Sequence, residues 1–263
     1  MIFLLEKLEI IFEFLFLKRK KMRIYKNLIN VRAITFDLDN TLYDDKPIVK
    51  KADYESMKFL KDYHPKLKKI KKKEYQKLRE FLRNKYPHYF HDVNYWRWFS
   101  IYLVMKNVGI SEKQAKNGAN IAMKIVQYWR SRIHIPKQTH EILKKLKNSF
   151  PLIIITNGNA NPYLFGIGKY FFCILRAGID GRSKPYKDMY KLASLKLCLP
   201  INSILHVGDD IITDIKGAID SGMQACWINK NKAKNFKNLK RERILPHLEI
   251  SNLHSLLDIL EEK

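Results

Sequence analysis

Two carboxylates at the end of an apolar run constrain this sequence more than any other feature. The residues from Val31 to Phe36 are mostly apolar and β-branched, which predicts a short buried strand. Asp37 and Asp39 follow at once, and on an extended chain their side chains would point to the same side. Two buried carboxylates need a partner, and a cation is the obvious one. An isolated pair of this kind also fits a strand followed by a polar turn, so other stretches must decide.

Composition limits the classes of partner. A chain of 263 residues is long enough for one large domain, or for one domain with a smaller insert. Its formal net charge of +24 is compatible with a nucleic acid, an anionic membrane or a phosphorylated substrate. The lysines are scattered along the whole chain, with one dense run at 66–73 that we interpret as a solvated helix face, so we expect no nucleic-acid partner. The alternative is a basic nucleic-acid-binding protein that has the fold of an enzyme but no longer its activity.

The three cysteines and the amino terminus bear on location. The cysteines are odd in number and lack metal-type spacing, which indicates a reducing compartment, the cytoplasm: Cys173, Cys198 and Cys226. Residues 1–17 are apolar but contain three glutamates and are short for a membrane span, so we expect no stable membrane insertion. Our preferred hypothesis is that residues 1–21 are a non-native extension of the reading frame and that Met22 is the true start. An amphipathic helix at a membrane surface is the alternative.

Helical patterns dominate residues 46–135 and predict an all-helical insert. Ser111 and Gln114 form a capping box that opens one of its helices. Aromatic residues are concentrated between Tyr86 and Phe99, where they either stack on a flat ring of a substrate or fill the core of a small helical bundle.

Strands and helices alternate from residue 138 onward. The expected strands end at Thr156, near Arg176, at Val207 and at Ile228, and Asn161 and Pro162 are expected to open a further helix. This alternation predicts an α/β fold with a parallel sheet and helices on both faces.

Polar side chains cluster at the predicted carboxyl ends of the strands, the edge at which such sheets bind ligands. Asp37, Asp39, Thr156 and Asp209 lie there, and Lys184 lies in a loop before a helix. Singly, each has a structural explanation as a capping group, a turn residue or an exposed lysine. Together and in this order they indicate a phosphate-handling site.

These stretches resemble the haloacid dehalogenase superfamily of phosphotransferases. The four motifs of that superfamily stand here as Asp37-Leu38-Asp39-Asn40-Thr41, Thr156-Asn157-Gly158, Lys184, and the run from Gly208 to Asp214. The resemblance implies a Rossmann-like core of residues 22–45 and 136–263, with a helical cap of residues 46–135 inserted between the first two motifs.

The resemblance also implies roles for the residues. Asp37 would attack phosphorus and form an aspartyl-phosphate, and Asp39 would be the general acid and base. Mg²⁺ would be held by Asp37, Asp39 through its backbone carbonyl, and Asp209. The phosphate-binding residues would be Asp37, Asp39, Thr156, Asn157 and Lys184, and the supporting residues would be Asp214 and Asp210. Because a dehalogenase has no leaving-group oxygen to protonate, Asp39 indicates a phosphatase.

Further stretches narrow the substrate. Residues 131–133, 181–185, 206–210, 221–228 and 245–251 are similar to a bacterial phosphatase family that dephosphorylates 5-amino-6-(5-phospho-D-ribitylamino)uracil in riboflavin biosynthesis and also accepts FMN. We therefore expect a small phosphorylated metabolite as substrate. A nucleotidase or a sugar phosphatase of the same superfamily is the alternative, because the cap sets specificity.

Overall fold

A computed structural model describes residues 22–70, 72–230 and 244–260 of the chain. The proposed amino-terminal extension, residues 1–21, lies outside the described residues, and so do parts of the lysine run.

The sheet is the centre of the structure. Within the described residues it contains seven strands: β1 Met22–Ile24, β2 Ala33–Phe36, β3 Leu152–Thr156, β4 Cys173–Arg176, β5 Ile204–Gly208, β6 Gln224–Ile228 and β7 Leu248–Ile250. Their order is β1-β7-β6-β5-β2-β3-β4, and every pair is parallel except β1 with β7. The predicted parallel sheet is confirmed, with an antiparallel edge strand that the sequence did not reveal.

Side chains alternate between two apolar layers on the faces of the sheet. In β3, Leu152 and Ile154 enter one layer, whereas Ile153 and Ile155 enter the other. The first layer is closed by α5 Lys137–Ser149 and α8 His254–Leu260, and the second by α6 Asp188–Leu197 and α7 Gly217–Ser221. Strands buried on both faces are continuous apolar runs, which is why the sequence identified the central strands so clearly.

Four helices occupy the sequence between β2 and α5. They are α1 Lys46–Tyr63, α2 Lys72–Lys85, α3 Val93–Asn107 and α4 Glu112–Arg130. They enclose an apolar cluster of their own, which includes Leu60, Ile101, Met105 and Ala119. The division of the chain into a core and a cap at residues 46 and 135 remains our prediction, and we use the word cap for these four helices.

Helix α4 is built for close packing. Ser111 is its N-cap and accepts a hydrogen bond from the backbone N–H of Gln114 at 3.4 Å. Its buried face is mostly small, and a side chain at Gly118 would collide with Met105. At its last residue, however, the buried side chain is an arginine, Arg130.

The aromatic residues between 86 and 99 contact one another. The ring of Tyr95 stacks on Phe99, and Tyr86 meets Phe99 edge-on. Trp98 stacks on Tyr102 in the next turn of the helix. These contacts favour the helical-bundle interpretation over a surface prepared for a substrate ring.

The helix expected after Asn161 and Pro162 is wrong. Residues 162–166 form turns, and a single 3₁₀ turn, Gly168–Tyr170, leads into β4. Gly166 has φ +81°, which a helix does not allow.

None of the described helices is long and apolar enough to span a bilayer.

Replacing Ile154 by Ala should lower the free energy of unfolding by about 2–5 kcal/mol, because the side chain is fully buried and its loss leaves a cavity. Ile179→Ala is the matched control, since Ile179 is 71% exposed. Urea denaturation of both variants measures the difference, and equal losses would contradict the described core.

Candidate active site

Three neighbouring strands deliver the predicted site residues to one edge of the sheet. Strand β2 lies between β5 and β3. Asp37 follows β2, Asp209 follows β5, and Thr156 is the last residue of β3. Parallel strands end at the same edge, so residues that are far apart in sequence become neighbours.

Lys184 lies between two carboxylates at the bottom of this edge. Its Nζ is 2.7 Å from Asp37 Oδ1 and 2.6 Å from Asp214 Oδ1. All three side chains are nearly inaccessible to solvent. A buried ammonium requires such partners, and the two carboxylates raise the pKa of Lys184 above its usual value although burial alone would lower it. Lys184 is therefore a fixed positive charge beside Asp37.

The carboxylates at the site exceed the cations. Asp37, Asp209 and Asp214 place carboxylate oxygens within 4.8 Å of one another, and Lys184 is the cation bonded to two of them. Three carboxylates and one ammonium leave two negative charges. Oxygen-only donors with this charge fit a hard divalent cation such as Mg²⁺. The Thr41 hydroxyl donates to Asp37 Oδ2 at 3.0 Å and lies 3.5 Å from Asp209 Oδ1, which joins the two carboxylates most open to a metal.

The three carboxyl groups differ in acidity. Burial raises the pKa of Asp37 to about 8 against the opposing effect of Lys184. Burial, together with Asp214 and Asp210, raises the pKa of Asp209 to about 7. The pKa of Asp214 is lowered instead, because Lys184 and His206 outweigh the effect of burial. Asp214 thus keeps its charge, while Asp37 and Asp209 lose theirs near neutral pH in the absence of a cation.

Asp214 is held from several sides. Oδ1 lies 3.3 Å from His206 Nε2 as well as beside Lys184, and Oδ2 accepts the backbone N–H of Asp210 at 3.0 Å. His206 Nδ1 in turn lies 2.8 Å from the hydroxyl of Thr35. Gly208 makes room for this carboxylate, since a Cβ at that position would lie 2.3 Å from Asp214 Cγ.

Asp210 has a different position from Asp214. Its carboxylate accepts the backbone N–H groups of Ile212 and Thr213 and so caps the π-helical turn Ile211–Lys216. Its support of the site runs through its backbone N–H to Asp214 and through its charge.

The second motif forms the opposite wall. The Thr156 hydroxyl accepts the backbone N–H of Gly158 at 2.9 Å. The Asn157 side chain uses both of its ends on the backbone of Lys184, accepting its N–H at 2.7 Å and donating to its carbonyl at 3.0 Å. Asn157, predicted to bind phosphate, therefore fixes the loop that carries Lys184.

Asp39 faces the cap rather than the Lys184 cluster. Both of its oxygens accept from Arg130 Nη2 at 2.8 Å, and Oδ1 also accepts from the Tyr43 hydroxyl at 2.5 Å. Its Oδ2 lies against Gly158, only 2.3 Å from where a Cβ would stand. Asp39 therefore connects the last residue of helix α4 with the second motif.

A second contact joins the cap to the loops of the site. His91 Nδ1 lies 2.9 Å from the hydroxyl of Ser183, the residue before Lys184. Asn159, which follows the second motif, donates to Asn94 Oδ1 at 2.7 Å. The 3₁₀ turn Pro87–His91 and the first turn of helix α3 therefore contact the two loops that contain predicted phosphate-binding residues.

Several residues at the site were not foreseen. Arg130 lies 91 positions from Asp39 at the end of a helix, and no sequence motif marks it. Thr41 belongs to the first motif and Tyr43 follows it by two positions, but neither was assigned a role. Lys230 Nζ donates to the carbonyl of Asn40 at 2.5 Å, beside Asp209. The contacts of Arg130 and Lys230 cross the fold, whereas Thr41 and Tyr43 each bond a carboxylate four positions earlier in the chain.

Comparisons with known proteins agree with this geometry. Residues 31–222 match the family described as haloacid dehalogenase-like hydrolase. The chain is 49% identical over 239 residues to the 5-amino-6-(5-phospho-D-ribitylamino)uracil phosphatase YigB of Escherichia coli (strain K12), over 91% of this chain and 100% of that protein. It is 26% identical over 247 residues to the N-acylneuraminate-9-phosphatase of Homo sapiens, over 89% of this chain and 95% of that protein.

Solved structures give the same picture of the fold. A 2-haloacid dehalogenase from Pseudomonas syringae pv. Tomato DC3000 superposes with a TM-score of 0.80 at 28% identity, over 88% of this chain and 99% of that one. The putative hydrolase YfnB from Bacillus subtilis, solved bound to magnesium, has a TM-score of 0.63 at 20% identity, over 88% of this chain and 99% of that one. The second likeness concerns the fold alone.

Gly158→Ala should lower kcat/KM on phosphomonoesters by about tenfold to a hundredfold, because the added methyl group displaces the Asp39 carboxylate. Steady-state kinetics measures the loss, and the Tm of the variant controls for unfolding. Unchanged kinetics would mean that the position of Asp39 does not matter.

Mg²⁺ should bind more tightly as the pH rises from 6 to 8. At pH 6 both Asp37 and Asp209 hold protons that the cation must displace, and above their pKa values of about 8 and about 7 this competition ends. The increase in Tm on adding Mg²⁺, measured at pH 6, 7 and 8, should grow with pH. Asp209→Asn should remove most of the increase, whereas an increase that is equal at all three pH values contradicts the assigned ligands.

Proposed function

The chain belongs to the haloacid dehalogenase-like hydrolases, and from this premise we propose that it removes the phosphate of 5-amino-6-(5-phospho-D-ribitylamino)uracil in riboflavin biosynthesis. It is a phosphatase of that family. The likeness to YigB over the full length of that protein carries the choice of substrate. The four motif segments, gathered at one edge of the sheet, support the reaction type.

In the proposed reaction Asp37 is the nucleophile. Its carboxylate attacks phosphorus, the bond from phosphorus to the ester oxygen breaks, and an aspartyl-phosphate forms. Lys184, fixed by Asp214, neutralises negative charge beside the attacking oxygen. The Thr156 hydroxyl and the backbone N–H groups of the second motif are the nearest donors for the phosphoryl oxygens.

Asp39 handles the protons on the other side of the phosphorus. It gives a proton to the departing alkoxide, and as a carboxylate it then takes one from the water that hydrolyses the aspartyl-phosphate. Its Oδ2 lies against Gly158 in the second motif, and this position beside a proposed phosphate-binding segment supports the assignment.

A divalent cation, for which we propose Mg²⁺, would be held by Asp37 and Asp209, with the Asp39 carbonyl as a further proposed ligand. When bound it supplies positive charge that offsets the repulsion between an anionic nucleophile and a phosphate. The gathering of three carboxylates around one ammonium group supports its presence in the working enzyme.

Two other activities deserve comparison. The similar structure from Pseudomonas syringae is a 2-haloacid dehalogenase, but carbon–halogen cleavage needs no acid such as Asp39. FMN, nucleotides and sugar phosphates are the alternative phosphomonoesters, and the 26% identity to an N-acylneuraminate-9-phosphatase is a weaker argument for a sugar substrate.

We propose a cytoplasmic location, since the three cysteines are all free.

The purified protein should hydrolyse the ribitylaminouracil phosphate with a higher kcat/KM than FMN, nucleoside monophosphates, sugar phosphates or 2-chloropropionate. Phosphate release with Mg²⁺ present measures the first four, and halide release the last. Asp37→Asn should be inactive on every substrate, because it lacks the nucleophile. Preference for a nucleotide or a sugar phosphate would replace the proposed substrate, and salt-dependent nucleic-acid binding without phosphatase activity would overturn the enzyme assignment.

A further inference from the structure

Arg130 is the one charged side chain of the described cap that touches a residue of the proposed chemistry. It ends helix α4, is buried, and donates from Nη2 to both oxygens of Asp39 at 2.8 Å. Its Nη1 lies 3.6 Å from Asp45, the residue that precedes helix α1. The guanidinium therefore lies where the two connections between core and cap meet.

The contacts of Asp39 distinguish its two oxygens. Oδ1 accepts from Tyr43 and from Arg130, whereas Oδ2 accepts, among the described residues, only from Arg130 and faces Gly158. A proton carried by this carboxyl group therefore belongs on Oδ2, since Oδ1 is already occupied by two donors. Oδ2 is also the oxygen directed at the second motif.

Two donor groups of the Arg130 guanidinium are not used in hydrogen bonds to described residues. Its Nε and Nη1 are buried and have no hydrogen-bond partner among the described residues. The buried Nε of Arg97, another arginine of the cap, also has no such partner, so it is the pair of bonds to Asp39 that distinguishes Arg130. This ion pair is largely shielded from solvent.

We propose that Arg130 is a positioning residue for the hydrolysis of alkyl phosphomonoesters, which holds the Asp39 carboxyl group with Oδ2 directed at the leaving-group oxygen. The inference rests on the proposed function. It gives the end of the last cap helix, α4, a part in proton transfer. This transfer is then efficient only while α4 occupies the position described.

Leaving-group dependence tests the proposal. An alkyl ester needs its departing oxygen protonated, whereas the p-nitrophenolate of p-nitrophenyl phosphate departs without an acid. Because kcat/KM covers the steps up to loss of the leaving group, it isolates this proton transfer from the later hydrolysis of the aspartyl-phosphate.

Arg130→Met should lower kcat/KM for the best alkyl phosphate by about a hundredfold, but kcat/KM for p-nitrophenyl phosphate by less than about tenfold. Asp39→Asn should show the same difference between the two substrates. Arg130→Lys should recover part of the loss on the alkyl ester. In the double variant Asp39→Asn/Arg130→Met the loss on the alkyl ester should equal that of Asp39→Asn alone, because both changes disable one proton transfer.

Arg97→Met is the matched control. Arg97 is a second arginine of the cap and pairs with Asp53 at 2.5 Å, with no described contact to Asp39. Arg97→Met should lower kcat/KM for both substrates by the same factor. If Arg130→Met also lowered kcat/KM equally for both substrates, or if its effect were fully additive with that of Asp39→Asn, the positioning role would be overturned. A wild-type protein inactive on all phosphomonoesters would overturn the proposed function itself.

Discussion

The ammonium group of Lys184 is the interaction on which the rest of the site depends. Without it, Asp37 and Asp214 would be two adjacent buried carboxylates, and at least one of them would have to take up a proton. With it, Asp214 stays charged and Asp37 is held at a defined position. The surrounding structure serves this ion pair: Asn157 fixes the backbone of Lys184, and Gly208 lets Asp214 approach closely.

The sheet explains how such distant residues meet. Because β5, β2 and β3 are adjacent and parallel, the segments that follow them emerge side by side without any long-range motif in the sequence. The two apolar layers pack against the strands from both faces and so fix the strands that carry the carboxylates at their ends. The cap then reaches this edge at two places, through Arg130 and through His91 and Asn94, which lie just before and at the start of α3.

Much of this could be predicted from sequence, for a physical reason. The central strands are continuous apolar runs, and each of three site residues stands directly at the end of one: Asp37, Thr156 and Asp209. Their positions could therefore be predicted from the neighbouring residues in the sequence alone. Strand β1 at one edge of the sheet and its neighbour β7 are only three residues long and were missed. Arg130 could not be found because its role comes from a contact with Asp39 across the fold. Asp210 and Asp214 are both acids of one motif, and only the backbone turn decides which one faces Lys184.

Thr35, a residue outside the four motifs, contacts the histidine that supports Asp214. Thr35 lies in the middle of β2, and sequence alone would assign it to packing. Asp214 only accepts hydrogen bonds, so Nε2 of the buried His206, whose pKa is lowered by burial, must carry the ring hydrogen and Nδ1 must accept from the Thr35 hydroxyl. The imidazole is thereby confined to a single tautomer. Asp214 thus decides which way the dipole of the histidine points beneath the lysine, and the Thr35 hydroxyl, two positions before Asp37, donates to the nitrogen that remains.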